Sequence, residues 1–233
     1  HTEICDGVDL YFDEIASTCT IHVDTVLTAT LTASAVPTVW SSGALTAGSH
    51  TIKVTAAGGQ AFPYGSYWYL GNRTTGVRVR NGGHSGWGPL DHTNKTGTLE
   101  HIALIDPDCV IVPIGAAANN PPTSAGGGFD SGLAAYTANI TALLEAIETE
   151  APTAAIVHVA EHAFTGRSAT WPAFAAASRQ LAVDGGWGFA DCYETIGYVG
   201  GDPYGRAIFD EGHLNAKGQR VMADTILAAL VGS

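Results

Sequence analysis

Charge is scarce in this chain, and positive charge is scarcer. Only 14% of its 233 residues are charged, with 10 lysines and arginines against 22 aspartates and glutamates, a formal net charge of −12. The first 75 residues and the remainder are both acidic, so no segment carries the basic stripe that phosphate binding requires. Nucleic acid and anionic membrane surfaces are excluded as partners on that ground. Long apolar runs are missing as well. Nothing approaches the roughly 18 consecutive apolar residues of a membrane span, and no charged-then-apolar leader opens the chain. Methionine occurs once, at Met222, and the first residue is His1. With no methionine at the start, an upstream segment is expected.

Cysteine is rare too. Four thiols are too few to staple a chain of this length, and an even number only permits pairing. Cys5 and Cys19 lie in a β-rich part and are within reach of a bridge if they fall on neighbouring strands. Cys109 and Cys192 belong to predicted parallel strands two positions apart, roughly 10 Å at the usual spacing, beyond disulfide reach. Those two are read as buried thiols.

What is present is a 45% hydrophobic composition, enough for one large or two modest cores. Residues 1–75 alternate with period 2, as in Val8-Asp9-Leu10-Tyr11-Phe12, Thr20-Ile21-His22-Val23-Asp24 and His50-Thr51-Ile52-Lys53-Val54-Thr55, the pattern of half-buried strands. From residue 76 the pattern changes to strand, loop, helix. Val77–Val79, Asp108–Gly115, Ala154–Val159 and Gly188–Cys192 read as strands. Leu133, Tyr136, Ile140, Leu143 and Ile147 fall on one helical face, as do Val221, Met222, Thr225, Ile226, Ala229 and Leu230. Strands alternating with helices imply an α/β fold with a parallel sheet, whose site is built by loops at the carboxyl ends of the strands.

The segment Asp210-Glu211-Gly212-His213-Leu214-Asn215 places an aspartate three residues before a histidine, ahead of an amphipathic helix. Such a pair can hold an imidazole in one tautomer while its far nitrogen takes a proton from a nucleophile. This segment resembles the last block of the SGNH (GDSL-type) hydrolases. Asn81-Gly82-Gly83-His84-Ser85-Gly86 resembles that family's second block, whose glycine, here Gly86, lends a backbone N–H to the oxyanion hole. Gly115 ends the next strand where the family has Gly-x-Asn-Asp, but Ala116-Ala117-Ala118-Asn119-Asn120 follows. The expected side-chain donor position is Ala117, and Asn119 substitutes only if the loop bulges by two residues. Losing one oxyanion donor typically lowers the rate roughly a hundred- to thousandfold. The Gly-Asp-Ser nucleophile motif occurs nowhere.

The resemblance covers residues 76–233 and implies an SGNH-like doubly wound parallel sheet whose first strand, with the nucleophile serine, lies outside this chain. An upstream segment or a second chain would complete the sheet. Residues 1–75 then form a β-sandwich domain inserted between the first and second blocks. Leu45-Thr46-Ala47-Gly48-Ser49-His50-Thr51-Ile52-Lys53-Val54 resembles a segment of jelly-roll, carbohydrate-binding-like modules. Tyr64, Tyr67, Trp68 and Tyr69 form either a sugar-stacking platform or an inward-packed cluster, the commoner fate of aromatics at a strand end. The interrupted arrangement resembles tail and virion proteins of actinobacteriophages, which implies an extracellular or virion location. The implied activity is esterase or deacetylase action on an acylated glycan without a cofactor, with His213 as general base, Asp210 orienting it, and Gly86 and Asn119 at the oxyanion hole. The alternative is a catalytically inactive structural or glycan-binding virion protein that keeps the fold.

Two rival sites lie inside the chain. Gly83-His84-Ser85-Gly86-Trp87 nearly matches a Gly-x-Ser-x-Gly nucleophile elbow, but its fifth position is tryptophan; otherwise His84 and Ser85 line the cleft beside Gly86 and Gly115. His158-Val159-Ala160-Glu161-His162 spells a zinc-protease pattern, but in a β-branched strand the two histidines are roughly 13 Å apart and cannot share one ion. No metal is expected there. Glu161 and His162 fall at the carboxyl end of a strand and are candidates to line the cleft.

Overall fold

A computed structural model describes residues 2–71, 77–83, 87–94, 97–113, 132–162, 171–197, 209–210 and 213–231. The chain divides into two compact units, His1–Gly82 with Thr96–Ile105, and Gly83–Lys95 with Asp106–Ser233. The helix at Thr98–Ile105 therefore belongs with the N-terminal unit, whereas a simple division at residue 75 would assign it to the other.

The N-terminal unit consists of two antiparallel sheets around one core. β1 (Thr2–Cys5), β3 (Cys19–Val23), β4 (Val26–Leu31) and β6 (Gly48–Ala56) form a sheet in the order β1-β6-β3-β4. β2 (Gly7–Ile15), β5 (Thr38–Ser41) and β7 (Ala61–Tyr69) form the other, in the order β5-β2-β7. Alternation supplies the core: Val8, Leu10, Phe12 and Ile15 of β2 meet Cys19, Ile21 and Val23 of β3 and Ile52 of β6, with Trp40 and Trp68 packed at the margin. Strand β2 departs from simple alternation, because the residues of its other face, Asp9 and Tyr11, are buried too. Asp9 is satisfied there by the hydroxyls of Ser41, at 2.5 Å, and of Tyr69.

Val77–Val79 is not a strand. No regular structure is formed there: Val77 and Val79 are 93% and 82% exposed, while Arg80 lays its guanidinium 3.6 Å above the Tyr11 ring and 4.1 Å from that of Tyr67. The Val79 carbonyl accepts from the Tyr67 hydroxyl at 2.6 Å. An Arg-Val alternation looks like a half-buried strand in sequence, but here arginine stacks inward and valine faces water. The four cysteines are free thiols. Cys5 and Cys19 sit opposite Gly48 and Ala56, at the two ends of β6, about 26 Å apart at an extended rise.

In the C-terminal unit, β8 (Cys109–Val112), β9 (Ala155–Ala160) and β10 (Gly188–Asp191) form a parallel sheet in the order β10-β9-β8. Helices α3 (Leu133–Glu150) and α4 (Trp171–Gly185) supply the two crossovers, the arrangement that same-handed crossovers between successive parallel strands require. Tyr136, Ile140, Leu143, Leu144 and Ile147 form the buried face of α3, while Leu133, at its first turn, is exposed. The Tyr136 hydroxyl and Ser178 of α4 meet at 2.7 Å. Along β9, Val157 and Val159 join a second cluster with Ala190, Cys192, Ile196 and the half-buried face of α6 (Ala216–Val231). Three shorter helices, α1 (Pro89–Asn94), α2 (Thr98–Ile105) and α5 (Cys192–Ile196), are divided between the units, with α2 in the N-terminal one.

Candidate functional site

Asp210 and His213 enter the fold through a minimal hairpin. β11 (Phe209–Asp210) and β12 (His213–Leu214) pair antiparallel, with Phe209 opposite Leu214 and Asp210 opposite His213. Directly opposed positions are the closest cross-strand neighbours in such a ladder. Register therefore brings the aspartate and histidine positions together. The next two residues fix the hairpin. Leu214 packs into the cluster of Val157, Val159, Cys192 and Ile196. Asn215 then caps α6, its side-chain oxygen accepting from the amides of Lys217 at 3.0 Å and Gly218 at 3.1 Å, a strongly preferred way to satisfy a helix N-terminus. His213 is thus one residue from a core anchor and two from a helix cap.

At the carboxyl end of β9, Glu161 is half-buried and His162 is buried, and the Glu161 carbonyl accepts from the Trp171 indole at 3.0 Å. Trp171 thus ties the start of α4 to the backbone at the carboxyl end of β9. The sequence signal of that helix start is the Trp171-Pro172 step, because proline favours the first turn of a helix. At the end of β10, Asp191 accepts from the Glu194 amide at 2.8 Å and from Arg179 Nη2 at 2.5 Å, capping α5 and tying it to α4. Cys192 follows, fully buried; burial foremost, with the nearby charges of Asp191 and Glu161, pushes its thiol up to about 12. It is a packed thiol at neutral pH and no nucleophile. Cys109, half-buried, is also raised by burial.

His158 lies within β9 and is 0% exposed, while His162 follows the strand, so the two do not share a helical turn as a zinc pair would. Burial holds the His158 ring down at about 4, partly offset by the backbone of Val112 across the ladder. Among the described residues no three histidine, cysteine, aspartate or glutamate side chains converge as a metal site. His84, Ser85, Gly86, Gly115 and Asn119 lie outside the described residues. Of the β7 aromatics, Trp68 packs against the core, Tyr69 is buried against Asp9, and Tyr67 is covered by Arg80, so these three offer no open stacking platform.

The model of the GDSL-like Lipase/Acylhydrolase family matches residues 45–221, which include the Asp210–His213 hairpin. The chain belongs to that family. The match reaches back into the β-rich part, beyond the motif-bearing span from residue 76 onward. Among curated proteins no relative matches the chain. Among solved structures, a peptidoglycan O-acetylesterase is similar at 15% identity and a TM-score of 0.59, over 97% of this chain and 64% of that one. This chain therefore spans just under two thirds of that protein's length. A family 3 carbohydrate esterase from Talaromyces cellulolyticus is similar at 18% identity and a TM-score of 0.48, over 64% of this chain and 69% of that one. An active-site mutant of a family two carbohydrate esterase from Clostridium thermocellum has 12% identity and a TM-score of 0.49, over 100% of this chain and 90% of that one.

Proposed function

We propose that this protein is an SGNH-type esterase or deacetylase acting on an acylated glycan, in an extracellular or virion setting resembling that of phage tail proteins. His213 is the general base and Asp210 orients its imidazole; Gly86 and Asn119 contribute to the oxyanion hole, and Glu161 and His162 border the cleft. In this reading a serine oxygen attacks the ester carbonyl while His213 takes its proton and passes it to the departing sugar oxygen; His213 then deprotonates a water that attacks the acyl-serine, releasing the carboxylic acid and returning the proton to the serine. The observation that carries the reading is the opposed register of Asp210 and His213, in a chain of this family. The fold is also one on which a peptidoglycan O-acetylesterase is built. We read residues 1–75 as a β-sandwich, jelly-roll-like module that assists glycan contact.

The serine is supplied from outside these 233 residues, which contain no Gly-Asp-Ser. Strand β8 is compatible with that assignment: it ends the described sheet with one partner, β9. A parallel strand added along β8 would pair the outward backbone N–H and C=O groups of that edge. The second reading, a scaffold or glycan-binding protein without activity, is favoured by the same missing motif. Two measurements test these. The chain alone is expected to show no hydrolysis of small aryl esters above background, and turnover abolished by Ser85→Ala would move the nucleophile to the elbow at residues 83–87. A chain extended upstream to a Gly-Asp-Ser strand is expected to release acetate from an O-acetylated glycan, and to lose that activity in His213→Ala. Failure of such a chain to turn over would select the scaffold.

A further inference from the structure

The segment Leu45–Val54 has a structural logic that the proposed esterase does not use. The register Val23 opposite Val26 leaves Asp24 and Thr25 as a two-residue hairpin turn between β3 and β4. Both residues have positive φ, 56° and 103°. Such turns usually carry asparagine or aspartate followed by glycine, and a β-branched residue there is strained. Something must hold Thr25 in place, and Asp24 does so through β6. Its amide donates to the Thr51 carbonyl at 2.8 Å, and its Oδ1 accepts from the Thr51 amide at 2.8 Å. Its Oδ2 meets His50 Nδ1 at 2.7 Å, and His50 Nε2 meets the Thr46 carbonyl at 2.6 Å. One imidazole thus joins the β3–β4 turn to the loop between β5 and β6. That loop has a separate tie, Leu45 N–H to the Asp6 carbonyl at 2.8 Å.

We propose that His50 is a proton-operated clasp, closed by the imidazolium and opened by its neutral form, which fastens the β3–β4 turn and the β5–β6 loop onto β6. The chemistry of the partners demands a charged ring. A carbonyl and an ionised carboxylate only accept, so both ring nitrogens must carry hydrogen, and only the imidazolium does. The neutral ring would turn a lone pair toward one of two oxygens already at 2.6 and 2.7 Å. The surroundings act in the same direction. The Thr46 carbonyl first, then Asp24, hold His50 above the ordinary histidine value, and the Thr51 amide first, then His50, hold Asp24 below the usual carboxylate range. Glu3 is the opposing register position on β1, the loop residues 42–47 carry no ionisable side chain, and the nearest cation on β6 is Lys53, on the other face of the strand with His22 opposite it. Because the folded ring holds its proton more tightly than the unfolded one, the clasp is closed at and below the ordinary histidine value and opens as pH rises through the raised one.

The test is amide exchange by NMR on the intact chain, expressed as protection factors so that intrinsic exchange is removed, alongside titration of the His50 ring. The Thr51 amide is expected to lose protection about two- to fivefold as His50 deprotonates, the range open to a solvent-screened ion pair. In Asp24→Asn the ring should titrate at a lower pH and the protection step should move with it. His50→Gln should give pH-independent protection. A wild-type protection factor that stays level through the ring's own titration overturns the proposal without any variant, as does a ring that titrates at the ordinary value. A merely structural histidine would show the loss in His50→Gln but no step in the wild type.

Discussion

In the N-terminal unit Phe12, Ile15 and Ile21 are withdrawn from solvent between two sheets, whereas in the C-terminal unit β8, an edge of the described sheet, is unevenly covered: Cys109 and Val110 are half-buried, Val112 is buried and Ile111 is exposed. Val112 stands opposite His158 in the ladder, on the side of α3 and α4, and is 2% exposed. Ile111 stands opposite Val157, on the side of α6, and remains 42% exposed. The two units differ because antiparallel strands meet through short connections, and the N-terminal unit's two sheets can close on each other. Each parallel strand instead needs a crossover helix to cover it, and the described residues supply two such helices, both on one face. Ile111 therefore points to the face that neither crossover helix covers.

The largest expected effect separates the closed core from the open one. Phe12→Ala should destabilise the N-terminal unit by about 3–5 kcal/mol, because a large side chain is removed from a site that cannot collapse. Ile111→Ala should cost well under half of that, about 1 kcal/mol or less, because much of its surface is already in water. Urea unfolding of the two variants measures both. Equal losses would mean that Ile111 is covered in solution, and the asymmetry would disappear.

The two units also treat histidine in opposite ways. His50 sits among acceptors and is drawn up, whereas His158 is wrapped in apolar groups and held down at about 4. Between the ordinary value near 6.5 and about 4, the unfolded chain binds a proton at His158 that the folded chain refuses. Stability of the C-terminal unit should accordingly be complete above about pH 6.5 and fall as pH drops toward 4, by about 3 kcal/mol at most. His158→Leu should remove that slope. Urea midpoints followed by the helical circular dichroism signal, which comes mainly from this unit, provide the measurement. An unchanged acid slope in the variant would assign the loss to other groups.

Much of this arrangement is written in residue types. The buried β9 strand follows from a near-continuous apolar run, the α3 face and the β2 core residues follow from period, and Asp210-x-x-His213 is visible as a spacing. What spacing does not reveal is that the pair is brought together by opposed register in a hairpin rather than by a helical turn. Helix α4 is hidden because Trp171, Phe174, Ala175, Ser178 and Ala182 bury a face that is mostly small residues, which carries little hydrophobic contrast. The Val77–Val79 segment misleads because period 2 reports alternation without saying which residue faces inward. Tyr11 and Tyr67, distant in sequence, decide that by receiving Arg80.

A smaller effect tests the anchoring of the carboxyl ends in the C-terminal unit. Asp191→Ala removes both the cap of α5 and the partner of Arg179, and should cost about 1 kcal/mol, the usual value of a lost helix cap. The exposed Arg179 pair adds little to that. Asp191→Asn keeps an accepting oxygen for the Glu194 amide and should recover most of the loss. A full loss in Asp191→Asn would show that the ion pair, and not the cap, holds α5.

The smallest expected effect lies at Arg80, in the N-terminal unit, and it sharpens the contrast between burial and stacking. Its guanidinium spans two aromatic faces, and arginine does so as a flat cation that matches the rings, whereas lysine presents a compact, strongly hydrated charge. Arg80→Lys should therefore cost about 0.5–1 kcal/mol although charge is conserved, and Arg80→Ala only slightly more. The Tyr67 hydroxyl still holds the Val79 carbonyl in either variant, so the chain should stay in place at Val79 while amide exchange rises at Asn81 and Gly82. If Arg80→Lys matches the wild type in both stability and exchange, charge alone anchors the segment and the stacked geometry contributes nothing.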